Sequence, residues 1–169
     1  MHVKSRTTFW YRRFRTVAYL NAVGSILWTI AILLPFTPFS YLPPIIVGGG
    51  PGVWFLLGYV LYVAVGVGGF AGFSALLFEI ETYEGRSPEK TVMLFGLILS
   101  LIGVAITCVL LGIAGASGGY ALTIAHASEN ATEALLVPYV NPITTASLIT
   151  VAGAAVSMYG MATAKATAT

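Results

Sequence analysis

Residues 91–115 read TVMLFGLILSLIGVAITCVLLGIAG. No charged side chain interrupts these positions. As an α-helix the stretch would be about 37 Å long at 1.5 Å per residue, enough to cross a hydrocarbon core of about 30 Å. A helix satisfies its own backbone N–H and C=O groups, which is what allows a chain to enter lipid at all. This segment therefore reads as a membrane-spanning helix, and the rest of the chain must suit a bilayer.

Three more segments pass the same test. Residues 16–34 are apolar and closed by Pro35, residues 52–78 are opened by Pro51, and residues 142–164 start at Pro142. A proline at a helix start costs nothing, because the missing N–H would have had no partner there. The second segment would be about 40 Å long, so it should tilt or project beyond the bilayer. The first holds 19 residues, against roughly 7–15 for the apolar part of a signal peptide, and reads as a retained span.

Composition agrees. Of the 169 residues, 57% are hydrophobic and 8% are charged, against about 25% charged in a soluble domain. So few charges cannot make a water-facing surface. The expected fold is an all-α membrane protein, one transmembrane domain over residues 1–169. Four helices would form an up-and-down bundle with a short amphipathic surface helix (120–137) before the fourth span.

The placement of charge gives the expected orientation. Of eight Lys and Arg residues, Lys4, Arg6, Arg12, Arg13 and Arg15 precede the first span, Arg86 and Lys90 lie between the second and third, and Lys165 follows the fourth. The other two loops have none. Basic residues beside spans mark the cytoplasmic side, so both termini should be cytoplasmic in the plasma membrane. The run Trp10-Tyr11-Arg12-Arg13-Phe14-Arg15 mixes cations and aromatics beside a span and reads as an interface anchor, not as a nucleic-acid site. Ser87-Pro88 reads as the N-cap and first position of the third helix.

Helices in lipid associate where small residues let backbones approach. The second span carries Gly68 and Gly72, and the fourth carries Gly153, Ser157 and Gly160. These are the expected packing positions, either within the bundle or against another subunit. Asn21, Ser25 and Thr29 fall at i, i+4 and i+8, one face of the first helix. This polar stripe should meet a neighbouring helix, or line a path for a solute.

Chemistry is sparse. No Asp, Glu, Lys, Arg or His lies in the four spans. Intramembrane ionisable groups usually mark proton relays and ion pathways, so proton-coupled transport and voltage sensing are not expected. No cofactor can be named. The single cysteine, Cys108, cannot form an internal disulfide. His126, Glu129 and Glu133 would share a helix face at i, i+3 and i+7, a donor set suited to a divalent metal. A solvated helix face accounts for the same three residues. Asn130-Ala131-Thr132 matches the N-glycosylation pattern.

The expected function is a non-catalytic integral membrane subunit of a larger complex, with a respiratory or other redox complex as one instance. Its partners would be the lipid bilayer and other membrane subunits. The alternatives are a small channel or carrier for a neutral or lipophilic solute, and an extracytoplasmic metal-binding protein at His126.

Overall fold

The computed structural model describes residues 9–166. His2, Lys4 and Arg6 lie outside the described residues. The described chain is almost wholly helical. It comprises α1 (Trp10–Leu33), the short α2 (Leu42–Val47), α3 (Gly52–Tyr83), α4 (Lys90–Ile124) and α5 (Glu129–Ala162). All but α2 are long and apolar enough to cross a membrane.

The central element is α4, the most enclosed of the four. One of its faces presents Met93, Gly96, Ser100, Gly103 and Thr107, all buried, at alternating spacings of three and four. Opposite lies a matching seam on α5: Thr132, Leu136, Ala146, Gly153, Ser157 and Gly160. The contacts run in opposite senses along the two helices: Gly96 faces Ser157, Gly103 faces Thr150, and Gly160 faces Met93. A second face of α4 meets α3, with Gly115 against Phe55 and Gly58 against Cys108 and Leu111. A repeat of about 3.5 residues keeps such a seam turned toward its partner along the whole helix.

α1 lies across α3. Its first turn is anchored by the Glu81 carboxylate, which accepts the backbone N–H groups of Trp10 at 2.9 Å and Tyr11 at 3.2 Å. These donors have no partner within their own helix, and a carboxylate also complements the positive end of the helix dipole. Trp10 and Phe14 are buried in the core with Phe70, Leu77 and Met93. The basic, aromatic run is therefore helical, and α1 begins six residues before the expected start at 16.

Two expectations need correction. The separate surface helix at 120–137 does not form. Residues 120–124 extend α4 through a wider π-type turn, and 129–137 are the opening turns of α5, which continues through Pro138 and Pro142. Both prolines are exposed, so the lost hydrogen bonds fall away from the seam. Buried positions flank them, Thr132 and Leu136 before and Ala146 after, and the helix continues through both. The helix starts instead at Ser128, whose Oγ accepts the Ala131 N–H.

Nor does Ser87 cap the third helix. Arg86–Ser87 pairs antiparallel with Lys165–Ala166, which holds residue 87 extended, and α4 begins at Lys90 with Glu89 in the cap position. Arg86 then closes the end of α5: its Nε donates to the Ala164 carbonyl at 2.9 Å, and Nη2 reaches those of Ala164 and Ala162. A cation on the last free carbonyls suits the negative end of the dipole.

The segment between α1 and α3 is a structured cap. α2 drives Ile45 into a slot where any side chain on Gly52 or Gly119 would collide with it. Gly49 and Gly50, both at positive φ, make the turn from α2 into α3.

Candidate functional site

The polar stripe on α1 faces α3. Asn21 is buried and donates from Nδ2 to the Gly66 carbonyl at 2.6 Å, while its Oδ1 accepts from Tyr62 Oη at 3.2 Å. The acceptor lies within residues 62–69 of α3, a π-helical stretch where hydrogen bonds skip to i+5. Ser25 donates to Ala22 O within α1. Thr29 bonds both Ser25 O and Tyr59 Oη. All three hydroxyl or amide groups therefore have partners within the protein.

The small-residue positions divide into two sets. On α5, Gly153 meets the Ser100 backbone, Ser157 meets Gly96, and Gly160 meets Met93 and Val92. A side chain at either of these α5 glycines would strike α4. The Ser100 and Ser157 hydroxyls are enclosed in this seam with no hydrogen-bond partner among the described residues. On α3 the outcome is different. A methyl at Gly72 would meet nothing within 4 Å, and one at Gly68 only the Val63 carbonyl of its own helix. With Ala64, Ala71 and Ala75, also exposed, they form a smooth outward face.

His126 is in the turn between α4 and α5, at φ +52°, and is not on the helix that carries Glu129 and Glu133. The helical face expected to unite the three residues therefore lacks its imidazole. Among the described residues no three His, Cys, Asp or Glu side chains are grouped closely enough to hold a metal ion. Asn130 is exposed in the first turn of α5.

A large concavity among the described residues was not foreseen as a site of this chain alone. A cavity of about 920 Å³ lies between the α2 cap and the end of α4. Trp28 and Phe55 wall it at one end, and Phe39, Tyr41 and Tyr120 at the other, with Gly112 in its wall. Trp28 is itself boxed by Phe55, Tyr59 and Tyr62, with ring centroids 5.6–6.0 Å away. Tyr41 and Tyr120 meet edge to face at 5.4 Å. No charged residue lines the cavity. Its chemistry suits a neutral, largely apolar molecule, with the tyrosine hydroxyls as the available polar groups. The sequence signal was the aromatic, charge-free segment 35–51, but folding that segment back over α4 depends on Ile45 entering its slot.

Comparison with known protein families, with curated proteins and with solved structures finds no significant match to this chain. By fold it is a helical bundle with four helices long and apolar enough to span a membrane.

Proposed function

We propose that the chain is a multi-pass protein of the plasma membrane, an up-and-down bundle with both termini cytoplasmic. Its role is that of a non-catalytic subunit of a larger membrane complex. The observation that carries this reading is the outward Gly68/Gly72 face of α3. The glycines of the α4–α5 seam are filled by a neighbouring helix, whereas this pair opens onto empty space. Small residues at i and i+4 on a lipid-facing helix are the pattern by which helices of separate chains approach. The absence of ionisable groups from the four expected spans supports a structural role. Extraction in a mild detergent followed by mass spectrometry of the intact particle tests the proposal. Stoichiometric partner subunits are expected, and a lone monomer would overturn it.

A second reading, a carrier for a neutral lipophilic solute, is favoured by the aromatic cavity. It requires that the purified protein move such a solute across liposomes, and that Gly112→Leu, which narrows the cavity beside Trp28, slow the flux.

A further inference from the structure

A second cavity, of about 420 Å³, opens between the first turns of α1 and the last turns of α3. Its ends differ in chemistry. At one end stand Tyr11 and Arg15, with the Arg15 guanidinium carbon 5.7 Å from the centre of the Tyr11 ring. The side chain thus reaches back toward the start of α1, the direction in which a long cationic side chain snorkels out of lipid. The rest of the wall is Ala18, Ala71 and Ala75 together with the rings of Tyr19 and Phe78.

Among the described residues no carboxylate pairs with the cation at this site. Among the described residues the only ion pair is Arg86 with Glu84. The nearby carboxylate of Glu81 is occupied by the backbone N–H groups of Trp10 and Tyr11. Arg13 stacks on Trp10 at 4.5 Å, and Arg12 bonds Tyr11 Oη. Arg15 has no hydrogen bond to a described residue, and Ser74, also in the wall, spends its hydroxyl on the Tyr11 carbonyl. The slot therefore pairs one unmatched positive charge with a narrow apolar trough, the complement of an anionic amphiphile.

We infer that this slot binds one anionic phospholipid, with its phosphate on Arg15 and an acyl chain against Ala18, Ala71 and Ala75. A zwitterionic lipid brings its own ammonium and gains less from Arg15. A free phosphate cannot use the trough. The site requires only α1 and α3 of this chain; Ala71 and Ala75 also border the Gly68/Gly72 face, so a partner docked on that face would compete with the acyl chain.

The test is native mass spectrometry of the purified full chain in mild detergent, titrated with phosphatidylglycerol, phosphatidylcholine or inorganic phosphate. One phosphatidylglycerol should bind about fivefold more tightly than phosphatidylcholine, the scale of one arginine at a membrane surface. Arg15→Gln should erase that preference and Arg13→Gln should keep it. Ala71→Leu, which fills the trough with Arg15 in place, should weaken phosphatidylglycerol binding. Equal retention of the two lipids would overturn the inference, as would equal effects of the two arginine variants. Displacement of the lipid by millimolar inorganic phosphate would also overturn it, by showing a plain anion site. Circular dichroism of each variant confirms that the helices are intact.

Discussion

Single residues separate what packs this protein from what it leaves open. Gly153 and Gly72 look alike in the sequence, each a small residue in an apolar helix. In the fold, Gly153 lies on the Ser100 backbone and Gly72 faces outward. Gly153→Val should cost about 1–3 kcal/mol through overpacking, whereas Gly72→Val should leave the stability of the isolated chain unchanged. Unfolding in detergent, followed by circular dichroism, compares the two directly. Equal losses would mean that the α4–α5 seam is wrongly placed. Asn21 supports a second residue-scale prediction. Asn21→Leu strands the Gly66 carbonyl and the Tyr62 hydroxyl, and should destabilise by about 1–2 kcal/mol in the same measurement. An unchanged midpoint would show that the π-helical stretch needs no partner. The sequence displayed all of these residues but could not sort them. In a helix that is apolar on every side, no polar face tells inward from outward, and only the neighbours decide.

At the scale of elements, the sequence was legible where length and hydropathy were enough. The four expected spans all lie within or nearly within observed helices. It was misleading where local signals competed with packing. The amphipathic stretch 120–137 and a span opened by Pro142 suggested a separate helix, and Ser87-Pro88 looked like a helix start. What overrode them was longer-range packing, the buried positions from Thr132 to Gly160 that keep α5 against α4 on both sides of the prolines. Spin labels at Ala131→Cys and Thr145→Cys, in a Cys108→Ser background, measure the consequence. A continuous helix places the two backbone sites about 21 Å apart along its axis. A surface helix bent at Pro142 would bring the labels markedly closer, and a short distance from pulsed electron paramagnetic resonance would refute the unbroken α5.

At the scale of the whole molecule, the fold follows from one rule applied twice. α4 offers one small-residue face to α5 and another to α3, and α1 closes over α3 through aromatic packing and the Glu81 cap. The aromatic cavity and the Arg15 slot are by-products of this arrangement that the linear sequence does not expose. Each requires segments distant in the chain to meet: the α2 cap with the end of α4, and the start of α1 with the end of α3. The same arrangement leaves the Gly68/Gly72 face without an internal neighbour, and the proposed role as a complex subunit rests on that face. Site-specific photocrosslinking in intact membranes tests it most directly, with the probe at Leu76, beside Gly72, and a control at Leu148 on the exposed side of α5. The expected result is a discrete protein adduct from Leu76 and only lipid adducts from Leu148. Lipid adducts alone from both positions would contradict a docked partner on α3.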